Sequence, residues 1–237
     1  MKLKIMTFNT QHCLNYITRK IDFDIMAKAI NDCAPALVSL NEMRSAGTHP
    51  EYTDQVGILA ERTGLQGYFA EAIRFDDAKN PYGNGLLSKY PILDSEVFPI
   101  PAPVVRPYTK WYEDRCLLKA TVDIQGERLT VMVIHVGLNP DEAKLAIDTI
   151  LAHLPSERCI LMGDFNLTPE SPLLAPIFER MQDAAALIEG DTASYPSPDP
   201  TQKIDYIFAT KDIRIESAEI PAIVASDHRP HTAVISF

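Results

Sequence analysis

The chain has 237 residues with 46% hydrophobic and 23% charged positions, a length common for one large α/β unit and a composition that excludes a disordered or fibrous chain. Lys and Arg number 22 against 32 Asp and Glu, for a formal net charge of -10, which argues against gripping long duplex nucleic acid unless a bound divalent cation or a local basic patch reverses the field at one cleft. No apolar run approaches the ~20 residues of a membrane helix, and the widely spaced Cys13, Cys33, Cys116 and Cys159 suit reduced thiols in a cytoplasm better than a metal site or a disulfide framework.

In chain order, the N-terminus reads as a strand over Leu3–Phe8 rather than as a charged start leading into a long apolar segment, so no secretory signal is expected. Phe23–Ala34 carries Phe23, Ile25, Met26, Ala29 and Ile30 at near-helical spacing and stops at Pro35. Ala36–Leu40 is a second buried strand ending in Asn41-Glu42, and a helix spans Tyr52–Thr63 up to Gly64. From Gly67 to Val97 strands alternate with turn chemistry, notably Asn80-Pro81-Tyr82-Gly83-Asn84-Gly85 and Tyr90-Pro91. Four prolines, Pro99, Pro101, Pro103 and Pro107, make Phe98–Asp114 a long surface loop.

Arg115–Ile124 and Arg128–His135 flank Gln125-Gly126-Glu127 as a hairpin, and Asn139-Pro140 opens a helix to about Leu154 with proline at its first position. Cys159 to Met162 is a buried strand that ends at Gly163 and delivers Asp164 and, beyond Phe165, Asn166. A short helix is expected over Pro172–Arg180, a proline-rich loop over Tyr195–Pro200, and strands over Ile204–Ala209, Ile213–Ile220 and Thr232–Phe237. Helices separating the first strands, together with hairpin spacing elsewhere, fit a mixed α/β architecture with two sheets.

Polar groups recur at these strand ends. A carboxylate such as Asp164 can orient a nucleophile there, and an amide such as Asn166 can donate to a developing oxyanion. Phosphoester chemistry with a divalent metal also needs hard oxygen ligands. Glu42 is the best candidate ligand for Mg2+ (or Mn2+), with Asn9 at the end of the first strand as its neighbour. His135 ends a strand as Asp164 does, and Asp227-His228 stands just before the last strand. Taken singly, each of these is as well explained by a solvated strand cap.

Taken together and in order, Thr7-Phe8-Asn9, Asn41-Glu42, Gly85-Leu86-Leu87-Ser88-Lys89-Tyr90-Pro91-Ile92, Ile134-His135, Gly163-Asp164-Phe165-Asn166, Ile204-Asp205-Tyr206-Ile207-Phe208 and Ser226-Asp227-His228 resemble the endonuclease/exonuclease/phosphatase superfamily, over residues 3 to 237. The resemblance implies one domain over residues 1–237, a four-layered α-β-β-α sandwich of two mixed β-sheets flanked by helices, and divalent-metal-dependent phosphoester hydrolysis. By position it makes Glu42 the metal ligand with Asn9 organising the metal site, Asp164 the residue that orients or deprotonates the attacking water, Asn166 the transition-state donor, and Asp227 and His228 the closing pair. Asp205 falls in the strand motif and is expected to be structural or to support a residue of the site from behind. His135 resembles the histidine of pancreatic-type deoxyribonucleases and neutral sphingomyelinases, where the DNA-repair branch has tyrosine. Gln11 replaces that branch's aspartate, which disfavours abasic-site cleavage.

The loop carrying Arg106, Tyr108, Lys110, Trp111 and Tyr112, with Arg115 after it, interleaves cations and aromatic rings that can stack a base or seat a headgroup over a phosphate. Arg106, Trp111 and Arg115 are the expected substrate contacts, with anchoring of the long loop an equal reading for Trp111, and Arg44 and His49 are weaker rim positions for which surface solvation is favoured. The expected activity is a phosphodiesterase or phosphatase on a small nucleotide, lipid headgroup or sugar phosphate, in a monomer without strong duplex affinity. A nuclease on short strands is the alternative. A catalytically silent binding module is a third reading, against which the retained set of Glu42, Asp164, Asn166, Asp227 and His228 speaks.

Overall fold

In the computed structural model, which describes residues 1–237, twelve strands form two six-stranded sheets. The first sheet is built from β1 (Lys2–Asn9), β2 (Leu37–Arg44), β3 (Gln66–Arg74), β4 (Asn80–Ser88), β11 (Arg214–Glu219) and β12 (His231–Ser236), in the order β11-β12-β1-β2-β4-β3. The second is built from β5 (Ile92–Ile100), β6 (Arg115–Ile124), β7 (Glu127–His135), β8 (Cys159–Asp164), β9 (Met181–Asp183) and β10 (Asp205–Thr210), in the order β5-β6-β7-β8-β10-β9. Only β1/β2 and β7/β8 pair in parallel. These are the two places where a helix crosses between the paired strands: α1 (Phe23–Cys33) in the first case and α4 (Pro140–His153) in the second.

Three apolar cores lie between four layers. One fills the space between the sheets with Leu3, Ile5, Leu37 and Leu86 from the first and Leu118, Val131, Val133, Ile160, Met162 and Ile207 from the second. The alternate residues of the same strands face outward. Met6, Phe8, Val38 and Leu40 pack against α1 and α2 (Gln55–Thr63), while Met132, Ile134, Leu161 and Phe208 pack against α4. The near-continuous apolar runs of the sequence follow from this, because central strands covered on both faces have no polar side.

Several boundaries differ from the sequence reading. The second helix begins at Gln55, because the Asp54 side chain accepts a hydrogen bond from the Gly57 amide and caps it there. Asn80 to Gly85 is not a turn but the first part of β4. At Gly83 a Cβ would lie 2.0 Å from the Ala70 carbonyl oxygen, so that glycine serves close strand approach rather than chain reversal. Phe98, Pro99 and Ile100 belong to β5, an edge strand where proline is tolerated, and the loop starts at Pro101. The short β9 was not expected. The single turn α3 (Phe75–Ala78), with Asp76 and Asp77 in left-handed conformation, joins β3 to β4. No helix is long and apolar enough to cross a membrane.

Candidate active site

Strand periodicity assembles the site. Along β1, Leu3 and Ile5 point between the sheets, and the same period of two carries Asn9 to that face. By the same count Val131 and Val133 lead to His135, Ile160 and Met162 to Asp164, and Ile207 to Asp205. The polar end of the inter-sheet core is therefore where four strands converge. Gly163 lets β8 reach it, since a Cβ there would lie 1.8 Å from the Ile134 carbonyl oxygen.

Glu42 arrives differently. The sequence reading ends the second strand before it, but β2 runs on to Arg44 with a break in register between Leu40 and Met43 and Glu42 in left-handed conformation. This bulge inserts one residue, so Asn41 and Glu42 both serve the site while Met43 returns to the helix-facing core. Asn41 ties the sheets together behind it. Its Nδ2 donates to the Ile134 carbonyl at 2.8 Å and to Asn84 Oδ1 at 2.9 Å, and its Oδ1 accepts from the Asp164 amide at 3.0 Å. That role was not read from the sequence.

A pocket of about 390 Å³ collects Glu42, Tyr82, Trp111, Glu113, Arg115, His135, Asp164, Asn166, Asp227 and His228 among its lining residues. Asn9 lies beneath them, its Nδ2 donating to Glu42 Oε1 and to Asp164 Oδ2, each at 3.0 Å. Asp164 Oδ1 accepts from the Asn166 amide at 2.9 Å. Asp205, buried, accepts from His228 Nδ1 at 2.8 Å and from the Ser194 hydroxyl at 2.5 Å, both on Oδ2, and His228 Nε2 stands 3.7 Å from Asp164 Oδ2. Asp205 is thus the direct partner of His228. Tyr82, Glu113, Tyr195 and Ser194 were missed by the sequence reading. The first three carry no motif and reach the site only through sheet pairing or loop path. Arg106 lies apart from the pocket, its Nε donating to the Pro103 carbonyl at 3.2 Å and its guanidinium 5.5 Å from the Tyr112 ring centroid.

The electrostatics separate two histidines. Burial works against the charge of His228, but Asp205, Asp164 and Asp227 outweigh it and hold the ring protonated well above the usual histidine range. His135 is held well below that range by burial, by Arg115 and by His228. Burial also lifts the carboxyls of Asp164, Glu113 and Asp227. Arg115 is 8% exposed, and its Nη1 stands 2.9 Å from Glu113 Oε2 and 3.1 Å from His135 Nδ1. A guanidinium only donates, so Nδ1 must accept and the hydrogen of the neutral ring sits on Nε2. Nε2 then points its hydrogen toward Asp164 Oδ2 at 3.5 Å, while the Asn166 amide group is satisfied by the Val136 carbonyl at 2.9 Å.

Two sets of side chains have ligand chemistry. Asp164, Asp205 and His228 bring ligand atoms within 4.8 Å of one another, but His228 Nδ1 and Asp205 Oδ2 are engaged with each other at 2.8 Å. Glu42 and Asp227 form a hard-oxygen set on the same pocket, and the charge of Glu42 is one of the causes that raise the Asp227 carboxyl. A cation would relieve that repulsion, so these residues fit a divalent, oxygen-seeking ion.

Comparisons with known proteins show the family and the fold. A model of the Endonuclease/Exonuclease/phosphatase family matches residues 6–228. An endonuclease/exonuclease/phosphatase structure from Beutenbergia cavernae shares 21% identity and superposes with a TM-score of 0.83, covering 100% of this chain and 72% of that one. The Bacteroides thetaiotaomicron mannosyl-6-phosphatase shares 13% identity at TM-score 0.75, covering 99% and 100%. The catalytic domain of human Nocturnin with a bound sulfate anion shares 18% at TM-score 0.74, covering 100% and 93%. These identities establish a shared fold. No curated protein matches the chain.

Proposed function

Because the chain belongs to the endonuclease/exonuclease/phosphatase family, as the match over residues 6–228 shows, we propose that it is a divalent-metal-dependent phosphoesterase acting on an organic phosphate such as a small nucleotide, lipid headgroup or sugar phosphate. The observation that carries this reading is the convergence of Glu42, His135, Asp164, Asn166, Asp227 and His228 on one pocket.

Glu42 and Asp227, organised by Asn9, would hold Mg2+ or Mn2+. When bound, the ion neutralises phosphoryl charge. Asp164 is placed to align a water for in-line attack and to take its proton, as a new P–O bond forms and the bond to the leaving oxygen breaks. Its two hydrogen bonds, from Asn9 and from the Asn166 amide, fix the carboxylate plane. The Nε2–H of neutral His135, the Asn166 amide group and the imidazolium of His228 supply donors to the phosphoryl oxygens, each such donor being worth roughly 10²-fold in rate. Asp205 orients His228 and stabilises its charge. Trp111 and Arg115 contribute substrate contacts from the rim and wall.

Hydrolysis of bis(4-nitrophenyl) phosphate and 4-nitrophenyl phosphate by the purified protein tests the reading. Turnover should require magnesium or manganese, stop with chelator, and fall by at least about 10²-fold in Asp164→Ala and His228→Ala. Activity that survives chelation or both substitutions sinks the assignment.

A further inference from the structure

Beside the catalytic pocket lies a larger groove of about 1000 Å³, and Leu138, Asn166 and Gln202 line both. The two form one depression with Asn166 at the junction. On one bank Tyr108 and Lys110 face the groove, while the next residue, Trp111, faces the catalytic pocket. The first turn of α4 holds this bank. Asn139 Nδ2 donates to the carbonyls of Lys110 and Trp111 at 3.3 Å each, the Tyr112 hydroxyl donates to Asp141 Oδ2 at 3.0 Å, and the Glu113 amide donates to Glu142 Oε1 at 3.0 Å. These bonds hold the backbone that carries two exposed aromatic rings at the cleft, Trp111 70% and Tyr108 47% exposed. Large apolar rings clustered at the mouth of a concave site mark a surface that a ligand covers.

Resting on the phosphoesterase reading, we propose that this groove binds the leaving group of the substrate and that this group carries a nucleobase, so that the substrate is a nucleotide-type ester. Volume is the first reason: a phosphoryl group with a small alcohol is accommodated in the 390 Å³ pocket alone, and the adjoining 1000 Å³ suits a larger organic group. Wall chemistry is the second. Leu138, Leu167 and Leu173 alternate with Thr168, Ser171 and Gln202. An acyl chain would bury the Ser171 hydroxyl and the Gln202 amide without partners, and a polyol would leave the leucines wet. A heterocycle offers apolar faces and a polar edge together. Charge is the third: Lys144 is paired with Asp148 at 2.6 Å, whereas Lys110 makes no ion pair and leaves its ammonium available to an anionic group on the same ligand.

Calorimetric titration of the magnesium-loaded Asp164→Ala protein, which retains the metal-holding residues but does not turn over, compares adenosine 5′-monophosphate with glycerol 3-phosphate. The base-bearing phosphate should bind about tenfold tighter, the scale of one stacked base. Thr168→Glu and Tyr108→Ala, at exposed positions of the two banks, should shrink that preference below about threefold without changing the glycerol 3-phosphate affinity. Equal affinities, or a preference that both variants retain, overturn the proposal. Metal-dependent turnover of bis(4-nitrophenyl) phosphate without base preference removes the groove assignment and leaves the hydrolase reading. Base-selective binding without any turnover does the reverse.

Discussion

His135 stands between two groups that donate, Arg115 Nη1 at 3.1 Å and the Asn166 amide nitrogen at 3.2 Å, and a neutral imidazole can accept from only one of them. The fixed charge of Arg115 decides which. The nitrogen NMR shifts of the His135 ring, assigned by difference with His135→Gln, should be pyridine-type at Nδ1 and pyrrole-type at Nε2 at neutral pH. In Arg115→Met the two should exchange or mix, with kcat reduced by roughly tenfold or more as the Nε2–H donor is lost. A wild-type ring with its hydrogen on Nδ1 contradicts the assignment. A second residue-scale consequence concerns His231, fully buried with neither ring nitrogen hydrogen-bonded. Burial, with Lys203 adding to it, lowers its pKa from 6.5 to about 4. Between those values the unfolded chain takes up a proton that the folded chain refuses. Stability is therefore fully present above pH 6.5, falls as pH drops toward 4, and loses about 3 kcal/mol through this residue. Urea midpoints of His231→Phe should show a correspondingly flatter acid limb, and an unchanged pH dependence would rule this out.

At the scale of elements, the bulge in β2 and the Asn41 clamp set the distance between the sheets at the site. Asn41 bonds the backbones of β7 and β8, on the opposite sheet, through both ends of one amide. Asn41→Ala leaves the Asp164 N–H without its acceptor and should lower stability by about 1–3 kcal/mol. It should also reduce kcat more than a stability loss explains, because the Asp164 backbone is no longer fixed. Asn41→Asp keeps the acceptor for the Asp164 N–H but loses the donor to Ile134, and so should recover part of both. Equal kcat in wild type and Asn41→Ala, measured well below the melting temperature, would show that the clamp is structural only.

For the whole molecule, the formal net charge of -10 weighs against non-specific duplex binding, since that binding draws on counterion release by basic side chains. Plasmid DNA should not be retarded by micromolar protein at physiological salt, and efficient cutting of plasmid under those conditions would move the substrate from a small ester to a polymer. The ordered motifs carried the resemblance to the family and to its two-sheet sandwich, and the strand ends from which Asn9, His135, Asp164 and Asp205 project were legible because a period of two along a strand and an apolar run before a polar end are local properties of a chain. Glu42 was legible as a residue but not as a bulge, because left-handed backbone there is imposed by pairing with β4. The pairing of His228 with Asp205, the hold of Arg115 on His135, the Asn41 clamp, and the place of Arg106 away from the cleft were decided only by the tertiary structure. Each depends on how strands far apart in the chain are registered across two sheets, and no spacing along the sequence encodes that distance.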